Sequence, residues 1–500
     1  MIRRRVAGVL ISGTLAGAVA AAMQPNGTCA GLRTLTLKDA EVTRAQVVDA
    51  GTLALPGRQP FADLGTFCRV AATLRPSSDS DIRIEVWLPQ EQWNDKLQAV
   101  GNGAWSGSIP QAAMAEALRR GYAAASTDTG HTGGSASFAL GHPEKLIDFA
   151  WRSEHEMTIA AKAIIAAFYG RAPKLSYWTG CSAGGRQALK EAQMFPADYD
   201  GIVAGSPGLD WSARSAQAVR VAHALKDPEA RLSPAALEVL HDAVLAACDA
   251  TDGLKDGLVS DPSRCRFDPV TVQCQAAATA RCLTPAQVAS ARAVYAASVN
   301  AATRREMPGL APGSERGWTD LGWSASARST GQDHFRFIVF QDPGWTVDRF
   351  DPERDTFRVD EGESRLPNAD DPSLEPFFQR HGKLLQYHGW SDPQISPFSS
   401  VAYYQRVLDR FGADRVKASY RLFMAPGMAH CGGGDGPNQF DALAALERWV
   451  ELGQPPDSLI ASHRSDGHVD RTRPLCPYPL VAVHDGHGRV DDAASFACGR

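Results

Sequence analysis

Leu175-Ser-Tyr-Trp-Thr-Gly-Cys-Ser-Ala-Gly-Gly185 is the stretch on which the reading of the fold turns. Its first five residues have the aromatic and hydroxyl-bearing composition of a short strand. Gly180-Cys-Ser-Ala-Gly184 then fits G-x-S-x-G, in which small residues let the chain turn sharply and present a strained serine above a sheet edge. Arg186 to Met194 has helical composition, and Gly201 to Gly205 supplies another apolar strand. Strand, sharp turn, helix and strand in that order predict a parallel α/β sheet with Ser182 as nucleophile.

The same alternation extends in both directions. Upstream, Ile82 to Leu88 alternates as a strand, and Leu97-Gln-Ala-Val100 is a second strand that runs into the Gly-rich loop Gly101-Asn-Gly-Ala-Trp-Ser-Gly107. Met114 to Arg120 reads as a helix, Tyr122 to Ser126 as a strand and Glu154 to Tyr169 as a helix. After about Asp210 the regularity fades into an Ala-rich helical stretch, an Asp/Gly loop, four clustered cysteines and an aromatic segment. It resumes with Lys383 to Gly389 as a strand, Val401 to Phe411 as a helix, Tyr420 to Met424 as a strand and Phe440 to Leu452 as a helix. The prediction is one sheet, formed by residues 23–209 and 371–500, interrupted by an inserted domain over 210–370.

With 500 residues, 44% of them apolar and 21% charged, the chain can bury a large core. Its 51 basic and 56 acidic residues are mixed along the chain, with no basic block to neutralise a row of phosphates, which argues against nucleic acid as a partner. Residues 1–22 read as an export signal: Arg3, Arg4 and Arg5, an apolar run rich in Gly and Ala, and alanines spaced for cleavage near Ala20 or Ala22. No later stretch has the roughly 20 continuous apolar residues of a membrane span. The ten cysteines all lie beyond that signal, and their even number suits five disulfides in an oxidising compartment, either secreted or periplasmic.

A serine hydroxyl becomes a nucleophile when a histidine accepts its proton, and that histidine needs a carboxylate to fix its tautomer. The expected chain order is Ser, Asp, His. Asp392 follows a strand in Tyr387-His-Gly-Trp-Ser-Asp-Pro-Gln-Ile395, and His430 follows the next strand in Ala425-Pro-Gly-Met-Ala-His-Cys-Gly432. His388 and Asp435 are rivals. What separates His430 is its neighbour: Cys181 adjoins the serine and Cys431 adjoins the histidine, so a catalytic Ser182–His430 pair brings the two cysteines within bonding reach. For the oxyanion, the amide of Ala183 is one expected donor. Gly103 in the Gly-rich loop is the candidate for the second, with Gly101 and Asn102 as open alternatives.

Together, Gly-Cys-Ser-x-Gly-Gly, Gly-Trp-Ser-Asp-Pro and His-Cys-Gly resemble the tannase and feruloyl esterase family, which includes mono(2-hydroxyethyl) terephthalate hydrolases. The resemblance covers nearly the whole chain after the signal and implies an α/β-hydrolase fold with an inserted lid domain. It implies the pairings Cys29–Cys68, Cys248–Cys265, Cys274–Cys282 and Cys476–Cys498 beside Cys181–Cys431. It also implies a structural calcium ion in the lid, for which Asp249, Asp252 and Asp256, with the backbone carbonyls of Leu254 and Leu258, supply hard oxygen ligands. The activity implied is hydrolysis of esters of aromatic acids, of feruloyl, galloyl or terephthalate type, with a small aromatic ester or a feruloylated polysaccharide fragment as substrate. The alternatives are a secreted serine peptidase of the same fold and a non-enzymatic calcium-dependent binding protein. Within the insertion, Trp318, Trp323, Phe335 and Phe337 are candidates either for stacking on an acyl ring or for core packing. Arg328 and Arg336 are candidates either for a substrate carboxylate or for solvated surface.

Overall fold

A computed structural model of the chain describes residues 27–54, 61–275, 281–301, 303–320 and 330–499. The expected export signal, Trp323 and Arg328 lie outside these residues.

Nine strands form the main sheet: β1 (Ala40–Val48), β2 (Phe67–Leu74), β3 (Ile82–Pro89), β4 (Lys96–Val100), β5 (Ala123–Thr127), β6 (Leu175–Cys181), β7 (Gly201–Gly205), β8 (Lys383–Gly389) and β9 (Tyr420–Ala425). Their spatial order is β1-β2-β3-β5-β4-β6-β7-β8-β9. The first three strands and the β3–β5 pair are antiparallel, and every pair from β5 to β9 is parallel. The strand exchange around β4 and β5, followed by a run of parallel strands, is an α/β-hydrolase sheet. Central strands are buried on both faces, and β5 and β7 are buried along their whole length, as expected for strands covered by helices on either side.

The main helices are α1 (Gln111–Arg119), α2 (Ser153–Tyr169), α3 (Ala183–Met194), α4 (Trp211–Ala224), α5 (Pro234–Cys248), α6 (Pro285–Tyr295), α7 (Pro397–Phe411) and α8 (Ala442–Leu452). One core holds Met157 and Ile164 of α2, Leu189 of α3 and Tyr403 and Val407 of α7 against one sheet face. A second core holds Met114 and Leu118 of α1 and Leu446 and Trp449 of α8 against the other. Between β7 and β8 the chain leaves the sheet at Trp211 and returns to it at Lys383. The intervening segment has apolar clusters of its own, one around Leu237, Val288 and Trp318 and another around Val219, Phe335 and Trp345. Its helices are capped in the usual way: Ser233 caps α5, and Thr284 with Gln287 forms a capping box on α6. Beyond α8 come two antiparallel hairpin-like pairs, Leu459–Ser465 with His468–Leu475 and Val481–His484 with Phe496–Gly499.

Five disulfides use every cysteine: Cys29–Cys68, Cys181–Cys431, Cys248–Cys265, Cys274–Cys282 and Cys476–Cys498. Among the described residues no helix is long and apolar enough to cross a membrane.

One close approach fixes how β8 meets the loop after β9. A Cβ on Gly389 would lie 2.2 Å from Met428 O and 2.6 Å from Ala429 O, both backbone atoms with little room to yield. Gly389→Ala is therefore expected to cost about 1–3 kcal/mol, the usual range for an overpacked site, read as a lowered urea midpoint at unchanged slope. A midpoint equal to that of the parent chain would show that the loop is not held against β8.

Candidate active site

Ser182 occupies the single residue between the end of β6 and the start of α3, at φ 64° and ψ −120°. That conformation is strained for a residue with a side chain and persists only where its surroundings impose it. Gly180 lets the turn close, because a Cβ there would sit 2.4 Å from Gly184 O. The Ser182 amide donates to Gly205 O at 3.0 Å, tying the turn to β7.

His430 lies on the loop after β9. Ala429 N donates to Gly433 O at 3.0 Å and Ser391 N donates to Met428 O at 3.0 Å, so this loop and the Asp392 loop are stitched together by their backbones. His430 Nδ1 is 2.7 Å from Asp392 Oδ2. Asp392 is fully buried, and its Oδ1 accepts from Gln394 N at 2.8 Å and Ile395 N at 3.0 Å. Burial by itself favours the neutral acid, but hydrogen bonds from His388 and His430 outweigh it and hold Asp392 well below the ordinary carboxylate range. Cys181 and Cys431, whose Cα atoms are 5.9 Å apart, join the serine turn to the histidine loop across a sequence separation of 250 residues.

The two rivals have other partners. His388 on β8 lies behind the carboxylate, with Nε2 3.1 Å from Asp392 Oδ2 and no exposure. Asp435 pairs with Arg316 at 2.9 Å.

In the Gly-rich loop the amide of Gly101 donates to Thr179 O at 3.0 Å and that of Asn102 to Gln187 Oε1 at 2.9 Å. Among the described residues no acceptor takes the Gly103 amide, and Ala183, as the first residue of α3, has no acceptor within its helix. Further along the loop, Trp105 Nε1 donates to Thr330 O at 2.9 Å and Trp105 O lies 2.9 Å from His131 Nε2. Trp105, Phe149, Ala183, Trp211 and Ile338 form an apolar wall beside the serine turn, with Trp105 edge-on to Trp211 at 4.9 Å.

The inserted aromatics divide. Trp318 is fully buried in the segment's own core with Nε1 on Ser314 Oγ at 2.9 Å, and Phe335 stacks with Trp345 at 5.5 Å in the other cluster. Neither faces a ring-binding space, because both are surrounded by their own segment. Phe337 is half-buried against the Trp105 wall. Arg336 is tied to the segment, its Nε donating to Trp345 O at 3.1 Å. Sequence reasoning overlooked two groups in this region. Arg214 on α4 lies within electrostatic reach of Asp392, and His334 is completely buried, its pKa pushed down to about 3 by desolvation and by the Arg214 charge. Arg214 comes from α4 and His334 from the separate short helix Thr330–His334, so only tertiary packing brings them together and no local motif announces it.

In the Asp249–Asp256 loop each carboxylate accepts backbone amides: Asp249 from Asp256 and Gly257, Asp252 from Leu254, and Asp256 from Leu258. Asp252 Oδ2 also accepts from Ser260 Oγ, and Asp256 Oδ2 lies 2.7 Å from Arg473. Oxygens of this kind keep lone pairs that suit a hard cation. Among the described residues, however, no group of three His, Cys, Asp or Glu side chains converges as a metal site.

A mixed sheet with this strand order and a strained serine at the carboxyl end of its interior parallel strand β6 define an α/β-hydrolase, and the relatives below make it a carboxylic ester hydrolase. The chain belongs to the tannase and feruloyl esterase family, whose model matches residues 68–499. It is 35% identical to an uncharacterized esterase of Xanthomonas campestris over 96% of this chain and 93% of that protein. It is 32% identical to the mono(2-hydroxyethyl) terephthalate hydrolase of Piscinibacter sakaiensis, covering 89% of this chain and 87% of that one. The crystal structure of feruloyl esterase B from Aspergillus oryzae superposes with a TM-score of 0.88 at 29% identity, covering 94% of this chain and 99% of that one.

The depressed pKa of Asp392 has a signed consequence for stability. A carboxylate whose folded pKa lies below its unfolded value of about 4 stabilises the fold above that pH, and the contribution fades as pH falls through and below it. The stability gap between the parent chain and Asp392→Asn should thus shrink as pH falls below about 4. A gap that widened as pH fell below about 4 would contradict this assignment.

Proposed function

We propose that the protein is an exported serine esterase that cleaves esters of aromatic acids through an acyl-enzyme, with Ser182 as nucleophile, His430 as base and Asp392 as the carboxylate behind it. The observation that carries the reading is the Cys181–Cys431 bridge, which joins the residue before Ser182 to the residue after His430, together with the 2.7 Å contact between His430 and Asp392.

In this scheme Asp392 accepts from His430 Nδ1, which leaves Nε2 unprotonated and able to take the Ser182 proton as Oγ attacks the ester carbonyl. The tetrahedral oxyanion is held by the amides of Ala183 and Gly103, the latter favoured over Gly101 and Asn102 because their amides are already committed. Collapse expels the alcohol with the proton from His430. Water then repeats the sequence on the acyl-serine and releases the acid. The names feruloyl esterase B and mono(2-hydroxyethyl) terephthalate hydrolase among the relatives supply the aromatic acyl class. Hydroxycinnamate esters lead, ahead of galloyl and terephthalate esters. The segment over 210–370 acts as a lid above the site. Export is supported by the complete pairing of the cysteines.

Calcium belongs to the proposal as a structural ion of the Asp249–Leu258 loop. Asp249, Asp252 and Asp256, with the carbonyls of Leu254 and Leu258, would hold it, and its contribution would be to fix a loop already anchored by Cys248–Cys265.

Ser182→Ala should abolish turnover of feruloyl, galloyl and hydroxyethyl terephthalate esters while leaving the melting temperature close to that of the parent chain. Residual parent-like turnover would remove Ser182 from the mechanism, and inertness of the parent towards all three would remove the substrate class. Chelation by EDTA should lower the melting temperature, because an ion bound only by the folded loop stabilises it by mass action. An unchanged melting curve, with no calcium found by elemental analysis of the untreated protein, would return the loop to a self-satisfied acidic turn.

A further inference from the structure

A chain of buried side chains runs to Asp392 and ends on the carboxylate oxygen that His430 also contacts. Tyr420, the first residue of β9, donates its hydroxyl to Gln386 Oε1 on β8. The Gln386 amide donates to Ser400 Oγ on α7 at 2.7 Å, and Ser400 Oγ is 2.7 Å from His388 Nδ1. His388 Nε2 in turn faces Asp392 Oδ2 and Ile395 O, each at 3.1 Å. Tyr420, Gln386, Ser400, His388 and Asp392 are all completely buried.

The donors and acceptors along this chain assign its protons. Nε2 of His388 meets only a carboxylate oxygen and a carbonyl, both acceptors, so it carries a hydrogen. Ser400 Oγ receives the Gln386 N–H and has one proton of its own, for which His388 Nδ1 is the acceptor. His388 is thereby a neutral imidazole locked in one tautomer, with Nε2–H directed at the carboxylate. Burial, reinforced by Tyr403 and Tyr404, pushes the Tyr420 phenol well above its ordinary value, so the head of the chain remains a donor.

Asp392 is then saturated, with two amides on Oδ1 and two imidazoles on Oδ2. It cannot rotate without breaking several bonds at once. Donors that share one oxygen also compete, because each draws charge away from the other. We propose that His388 is a positioning residue of the esterase site, a neutral donor that fixes the Asp392 carboxylate and, by sharing Oδ2, lowers the proton affinity of His430.

This inference rests on the Ser182–His430–Asp392 reading. Among the described residues, Arg214 on α4 acts on Asp392, and Tyr420 on β9 reaches His388 through Gln386 and Ser400. Both stay in place in the variants below.

The test is the pH dependence of kcat/KM on an activated aryl ester, which reports the free enzyme's base. His388→Leu removes the competing donor, so the acidic limb should move up by about half a unit to one unit, a three- to tenfold rise in proton affinity, while the plateau kcat falls. His388→Gln places an amide N–H near the position of Nε2 and should bring the limb back to within about 0.2 unit of the parent. An unmoved limb in His388→Leu, with the Gln variant equally impaired, would leave His388 a packing role and overturn the proposal. Should His388→Leu not fold, Ser400→Ala keeps the imidazole but frees its tautomer, and the limb should move in the same direction by less. An unmoved limb there overturns the proposal equally. Fluorophosphonate labelling of the parent separates the two levels: absence of label at Ser182 defeats the triad reading itself, whereas labelled Ser182 with unmoved limbs defeats only the role of His388.

Discussion

The covalent bond between Cys181 and Cys431 is the constraint on which the arrangement of the site depends. It closes a loop of 250 residues that contains the entire inserted segment, so the serine turn and the histidine loop stay adjacent whatever that segment does. In the chain-entropy picture, closing a loop of this length destabilises the unfolded chain by about 5 kcal/mol. The bridge sets proximity but not orientation. Orientation comes from short-range contacts, namely the serine held at positive φ by the tight Gly180 turn and the histidine loop laid against Gly389 with its backbone bonded to the Asp392 loop. Long-range linkage and local geometry are thus supplied by different parts of the structure, and the chain between them is free to carry a large insertion.

A buried carboxylate is the electrostatic counterpart of that linkage. Removing an ionised Asp from water is costly unless hydrogen bonds replace the lost solvation. Asp392 meets this requirement with four donors drawn from three places: its own turn, β8 and the loop after β9. The carboxylate therefore acts as a knot between those elements as well as a partner of His430. Nearby, Nη1 of the half-buried Arg214 and both ring nitrogens of the buried His334 have no hydrogen-bond partner among the described residues. In a folded interior such orphans are uncommon and mark places where packing alone does not explain the residue chosen.

How far the sequence revealed this depends on the kind of signal involved. The seven strands from β3 to β9 were legible because each is a short apolar run bounded by Gly, Pro or polar turns, and their alternation with helices identified the sheet. β1 was not legible: Ala40–Val48 is an edge strand, largely exposed, with no regular apolar face to betray it. The C-terminal paired strands escaped for a related reason, since His468–Leu475 begins with three exposed residues, His468, Val469 and Asp470, that form no apolar face. At the site, the serine turn announced itself through glycine spacing and His430 through its cysteine neighbour. His388 was read only as a rival base because a second hydrogen bond to the same carboxylate oxygen leaves no trace in local sequence. The inserted aromatics were ambiguous on composition alone, and packing resolved them: Trp318 and Phe335 serve the segment's own cores, whereas Phe337 reaches the wall beside Ala183.

The cluster beside Ala183 joins the serine turn to the inserted segment. Trp105 comes from the loop after β4, Ala183 from the serine turn, Trp211 from the start of α4, and Ile338 and Phe337 from the inserted segment. The first two are bound to the reaction centre by the sheet edge, and a change in either would disturb the amides proposed for the oxyanion. The last three belong to the inserted segment but pack in the same cluster as Trp105, Phe149 and Ala183, so a change on the inserted side is transmitted to the serine turn through a shared core.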